Sequence, residues 1–312
     1  SKAGFLIGAA YLVFLAGVFL LLYLMYADII LVTPGEHRFV KECGVYLGRL
    51  GYGLAVLAAV FGMFLVLTVY LILAPSFINL IFNQPINYFT ALIIFWLFGS
   101  LGILLGVRAI GFEEISMTIG IVLIVAVLLF LGIHQFSWTE LSKWQPIYFF
   151  LPYGPLIFSL AGRVAIPEIV RRFNRNSQDF RLLKKSIVMG VILPVIVYLA
   201  FVLAVVGLSR GSAGITPDAV SGLLNNISRG VLIILGVLGV LTLLSSYIII
   251  GLNVKEILLF DFMMSKILVS SVVIFIPLLL YLAGIQNFLS LIAFIGGVFI
   301  ALEGILIVLI WR

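Results

Sequence analysis

FFLPYGPLIFSLAGRVAIPEIV, residues 149–170, is apolar and as long as a bilayer is thick, since about 20 helical residues cross the hydrocarbon core. It is also interrupted. Pro152, Pro155 and Pro167 flank Gly154 and Gly162, and Arg163 stands at the centre. Each proline removes a backbone donor and crowds the preceding turn, so a continuous helix does not run through cleanly. In hydrocarbon, freed peptide groups must face protein or a water-lined cavity. A proline-kinked helix without a ligand is the plain alternative. The arginine favours a cavity, and the expectation is that the chain opens around Ser159, Leu160, Ala161 and Gly162. Bare amide and carbonyl groups would there meet a small polar guest.

The rest of the chain places this segment in a membrane. Of 312 residues, 64% are hydrophobic and 10% charged, with a mean hydropathy of +1.34. Soluble domains average about 45–50% apolar and ~25% charged residues. A single cysteine, Cys43, excludes an intramolecular disulfide. The net charge of +6 comes from short loops between apolar runs, so it reports membrane orientation rather than nucleic-acid binding. The first apolar run is too long for a signal-peptide core.

Nine all-α spans are expected, at roughly 3–32, 51–82, 87–107, 112–133, 146–172, 186–208, 229–254, 265–283 and 287–310. Thirteen of the eighteen Lys and Arg residues fall in one alternating set of loops, from Arg38 to Arg312. Lys2, Lys143, Arg210 and Arg229 fall in the other, and Arg163 is left inside a span. The richer set is expected in the cytoplasm, which puts Ser1 outside and Arg312 inside. Four spans precede the interrupted one and four follow it. An inverted repeat of five-helix units would then divide the transporter domain into 1–134 and 146–312, with an opening helix missing before Ser1. Residues 36–49, after Pro34-Gly35, read as an amphipathic interfacial helix. Thr216-Pro217-Asp218 reads as the start of a short helix over 217–226. Asn226-Ile227-Ser228 has the form of a glycosylation acceptor.

Several stretches resemble a known family. KAGFLIG (residues 2–8) and YADIILVTPGEHRFVKECGVYLG (26–48) look like the second helix and first cytoplasmic loop of amino-acid permeases. The branch is that of the hydroxy- and aromatic-amino-acid permeases and related transmembrane amino-acid transporters, within the amino acid–polyamine–organocation superfamily. LPYGPLIFSLAGRVAIPEIV resembles that family's sixth helix, with Ala165-Ile166-Pro167-Glu168 its most specific element, and LTLLSSYIIIGLNVKEILL resembles its eighth. The resemblance implies a leucine-transporter-like fold of two inverted repeats, with substrate held between broken first and sixth helices. Family helices 2–10 are then present, and a chain without the first helix is not expected to transport by itself. The implied activity is symport of amino acids by alternating access across the cytoplasmic (plasma) membrane, driven by a proton or sodium gradient. A non-transporting permease-like scaffold or amino-acid sensor is the alternative. Partners would be an amino acid and the lipid bilayer, without nucleic acid, and no cofactor beyond Na+ or H+ as coupling ion.

Candidate residues follow from both readings. Ser159, Leu160, Ala161 and Gly162 are small or at the break, where unwound backbone can approach a solute; helix packing through small residues is the competing explanation. Arg163, costly at membrane depth, has three roles open to it: pairing with Glu168 or Glu303, contacting an anionic substrate group, or replacing a bound cation. Tyr70, with Thr68 and Gly62, is placed to line the same cavity or to pack in the core. Thr242, Ser245 and Ser246 match family hydroxyls that complete a sodium site, although such hydroxyls commonly bond their own helix. Glu303 is a proton relay or a partner of Arg163. Asp28 and Glu114, near helix ends, read as interfacial, as do Trp138, Trp144 and Trp311. Intramembrane enzyme chemistry has little support: His37 and His134 are expected on opposite membrane faces, and no G-x-S-x-G occurs.

Overall fold

A computed structural model describes residues 4–34, 38–82, 85–106, 111–133, 146–175, 180–208 and 227–312. The expected helix over 217–226, the Asn226 acceptor, His37, His134, Trp138, Trp144 and the Glu114 side chain lie outside the described residues. Within them the chain is helical and without strands: α1 (Phe5–Val32), α2 (Phe39–Val56), α3 (Gly62–Ile81), α4 (Tyr88–Leu105), α5 (Gly111–Ile133), α6 (Tyr153–Ser159), α7 (Ile166–Arg175), α8 (Phe180–Leu208), α9 (Arg229–Phe260), α10 (Lys266–Leu282), α11 (Phe288–Phe294) and α12 (Ala301–Trp311). π-helical turns at Leu57–Phe61 and Ile295–Ile300 join α2 to α3 and α11 to α12. Among the described residues, eight stretches are long and apolar enough to cross a bilayer, the architecture of a multi-pass membrane protein. The ninth, α10, has 17 residues, or about 25 Å of helix.

Charged residues mark span limits less sharply than expected. The spans begun at 186 and ended at 254 continue to Phe180 and Phe260, because lysines serve the terminal turns. Lys184 Nζ lies 4.6 Å from the centroid of the Phe180 ring, and Lys255 Nζ donates to the Ile103 carbonyl at the end of α4 (3.1 Å). At the opposite end of α9, Arg229 Nη2 donates to the Ile81 carbonyl of α3 (2.8 Å). Cations at helix C-termini satisfy orphan carbonyls in this way.

The predicted interfacial helix begins at Phe39 and joins the following span through Gly48, whose φ of 66° and ψ of −158° lie in a region essentially restricted to glycine. Its Phe39, Val40, Glu42 and Cys43 side chains are buried, so this face packs inward. Gly48→Ala is expected to cost about 1–3 kcal/mol, read as a lower unfolding temperature in detergent; an unchanged or raised temperature would contradict the assigned backbone.

Prolines do not break the other helices. Pro75, Pro194 and Pro277 lie inside α3, α8 and α10. In the turns before Pro75 and Pro277, donors from neighbouring helices bind exposed carbonyls: the Tyr88 hydroxyl to Ile72 O, and the Trp96 indole to Ile274 O at 2.9 Å. Continuation through proline depends on this kind of external satisfaction.

The helices pack as two sets. Every pair among α3, α4, α9 and α10 is in contact, and α3 lies in the most buried of the spans. Beside this set, α1 packs on α6, α7 and α8, with α7 also on α8. Helix α5 touches both sets, through α8 and α9. Helices α11 and α12 close the bundle: α6 packs on α11 and on the π-turn at 295–300, and α12 packs on α1 and α2.

Candidate substrate and ion site at the broken helix

The segment that opened the sequence reading is broken. Helix α6 ends at Ser159, and a 3₁₀ turn at Arg163–Ala165 leads into α7 at Ile166. The prolines stand at the starts of the two halves, not in the gap. Pro152 is the N-cap of α6, Pro155 lies in its first turn, and Pro167 is the second residue of α7, positions where a missing amide costs little.

The peptide groups of the break are largely held by protein. The Tyr23 hydroxyl of α1 donates to Leu160 O (2.6 Å) and accepts from the Gly162 amide. Tyr198 of α8 donates to Ser159 O (2.9 Å), and the Ser159 hydroxyl turns back to Leu156 O (2.9 Å). The Leu160 and Ala161 amides reach Leu156 O and Phe158 O, and the Ala165 amide reaches Gly162 O. Among the described residues, only the Arg163 and Val164 amides of this stretch make no hydrogen bond. The expectation of bare amides is thus corrected: two tyrosine hydroxyls occupy the groups assigned to a guest. Tyr23→Phe is expected to lower stability by about 1–3 kcal/mol, because it strands a buried carbonyl and an amide together. Equal unfolding midpoints for the two proteins would contradict this.

Arg163 is buried, at 9% exposure, and is held on three sides. Its Nε donates to Glu303 Oε2 and its Nη2 to Oε1, both at 2.8 Å, a bidentate fork of the strong kind. The guanidinium carbon lies 4.2 Å from the centroid of Phe39 in α2, and Tyr26 of α1 is an electrostatic neighbour. Glu168 faces elsewhere, exposed beside Arg171 (3.7 Å) and Arg172 (3.4 Å). Among the roles open to Arg163, the structure realises the ion pair, and with Glu303. A cleft of about 20 Å³ lined by Tyr23, Ala161, Arg163, Glu303 and Gly304 adjoins it, a volume on the scale of a single water.

The remaining candidates are divided between α3 and α9. Tyr70 of α3 has Ser246 of α9 and Tyr198 of α8 in its electrostatic surroundings. Of Ser246, Tyr70 and Tyr198, Tyr198 is hydrogen-bonded to the break, at Ser159 O. Thr242 instead donates to Leu238 O of its own helix (2.8 Å), and Thr68 to Phe64 O (3.0 Å). Ser245 is half-buried on the same helix. Gly62 lies under Phe299 of the second π-turn, where an added Cβ would meet the Phe299 side chain at 3.2 Å.

Sequence reasoning missed Tyr23, Tyr26, Tyr198, Phe39 and Glu42 as neighbours of the break. A signal existed for Glu42: Phe39, Glu42 and Cys43 share one helical face by their spacing, so the carboxylate stood on the apolar stripe. Likewise Leu12, Leu15, Phe19, Tyr23 and Tyr26 are the buried stripe of α1. No protein-family model matches the chain, and no curated protein is similar to it.

Proposed function

We propose that this chain is the solute-translocating bundle of a secondary transporter, an amino-acid symporter of the cytoplasmic (plasma) membrane that works by alternating access. The observation that carries the reading is the interruption between Ser159 and Ile166, where Leu160 and Arg163 are buried and Ala161 and Ala165 are exposed, with tyrosine hydroxyls on its peptide groups. Interrupted helices place peptide dipoles at the membrane midplane, where they bind the charged ends of a small solute. The two helix sets support the same reading. The mutually packed α3, α4, α9 and α10 draw two helices from each side of the break, as a leucine-transporter-like inverted repeat would. The α1, α6–α7 and α8 set carries the break, and rocking one set against the other gives alternating access. The basic loops face the cytoplasm, with Arg38 beside Glu256 (3.3 Å) and Asp261 (4.0 Å) on that side.

Coupling has two candidate carriers. A sodium ion would use the hydroxyls of Ser245, Ser246 and Thr242, and a proton would use the carboxyl groups around Arg163. A second reading, a permease-like scaffold or amino-acid sensor, is favoured by the tyrosine-occupied break and the water-sized cleft. Uptake of labelled amino acids into proteoliposomes of the full-length protein under an imposed proton or sodium gradient, beside thermal-shift binding of the same panel, separates the two. Flux supports the symporter, binding without flux supports the sensor, and neither binding nor flux removes both.

A further inference from the structure

The carboxyl group of Glu42 has no place in the ion pair described above, yet it is buried against it. Its residue is 1% exposed, and Oε2 has no hydrogen-bond partner. The Tyr26 hydroxyl beside it, also buried at 1%, has none either. Among the described residues Glu42 makes no ion pair, and Arg163, the cation among its electrostatic neighbours, directs Nε and Nη2 at Glu303. The groups that face this pocket are Tyr26 from α1, Arg163 from the 3₁₀ turn, Glu303 from α12, and Cys43 from Glu42's own helix.

The charge balance of the cluster is short by one. One guanidinium cannot neutralise two carboxylates, and a net charge left in a low-dielectric interior is heavily penalised. The fork geometry assigns Arg163 to Glu303. We propose that Glu42 is a proton-binding site in which the bound proton leaves Arg163 free to clamp Glu303, and that loss of this proton draws the guanidinium from Glu303 toward Glu42. Glu42 gives its proton to water as Glu303, losing its cation, takes one up from water, so the cluster keeps one proton and one ion pair in either arrangement. Its consequence is mechanical. Arg163 begins the turn that leads into α7, whereas Glu303 lies on α12 and Glu42 on α2, so partner exchange shifts the far half of the broken helix between two neighbours. Coupling of that shift to solute movement rests on the transport reading; the proton site itself does not.

Infrared spectroscopy of the full chain in lipid nanodiscs tests the site without any solute. At neutral pH, the difference between wild type and Glu42→Gln is expected to contain the carbonyl stretch of one protonated carboxylic acid. Glu303→Gln frees Arg163 to pair with Glu42, so the same acid signal is expected to vanish although Glu42 is still present. Arg163→Gln leaves both carboxyl groups without a cation, and the signal is expected to about double. If Glu42→Gln does not fold, Glu42→Asp serves in its place, shifting the band instead of abolishing it. A wild-type spectrum from which neither Glu42 variant removes or moves an acid carbonyl would overturn the proposal. So would a signal that persists at full strength in Glu303→Gln.

Discussion

Arg163→Met is expected to destabilise the folded protein by about 3–5 kcal/mol, the usual effect of removing one partner from a buried pair. Both side chains are nearly enclosed, at 10% and 12% exposure, so Glu303 without its cation must take up a proton, and the strong fork is lost. The Phe39 ring also loses the cation stacked on it at 4.2 Å, a contact worth roughly 0.5–2 kcal/mol. The informative comparison is the double variant. Replacing a buried pair with apolar groups of similar volume is often neutral or stabilising, so Arg163→Met with Glu303→Met should recover most of the loss. Chemical denaturation in mild detergent gives all four corners of the cycle. Additive losses in the double variant would show that the two residues do not stabilise each other.

Gly296→Val is expected to cost about 3 kcal/mol or more, at the upper end of overpacking penalties. A Cβ at Gly296 would stand 2.0 Å from the Gly154 carbonyl oxygen, and one at Gly154 would stand 2.5 Å from Ala293 O. These are backbone atoms, which have no rotamer to escape through. The first half of the broken helix must then move away from the π-turn at 295–300. Close backbone approach through small residues is how helices associate where lipid removes the hydrophobic drive. Gly154→Val should behave alike, while Gly17→Ala, with nothing within 4 Å of its added Cβ, should leave the unfolding midpoint unchanged. Similar midpoints for Gly296→Val and Gly17→Ala would contradict the contact.

The spans were legible because membrane insertion imposes a length and a composition that any window of sequence reveals. The break was legible for a related reason, since small residues and an arginine seldom share the middle of a lipid-facing helix. Its mechanism was not. Pro152, Pro155 and Pro167 serve as helix starts, and three others pass through intact helices, two of them, Pro75 and Pro277, with a carbonyl of the preceding turn bound by a side chain of α4. Those partners, such as Trp96 for Ile274, are set by packing and carry no local pattern. The same holds for Tyr23 and Tyr198, which lie 137 and 39 residues from the carbonyls they bind. Arg163 and Glu303 were singled out separately by their cost in a membrane, and only the crossing of α12 beside the 3₁₀ turn joins them. The interfacial reading of residues 36–49 caught the helix but neither its kink at Gly48 nor its depth, because an amphipathic pattern reads the same against lipid as against protein.

Hydrogen–deuterium exchange across residues 153–175 in lipid nanodiscs tests the account at its centre. Amides at Arg163 and Val164 lack a hydrogen-bond acceptor, and Arg163 lines a water-sized cleft. They are expected to exchange first, ahead of those in α6 and the body of α7, and to slow when a bound amino acid covers the break. Uniform protection from Tyr153 to Phe173, equal to that in the middle of α3, would mean an unbroken rod and no site for a solute.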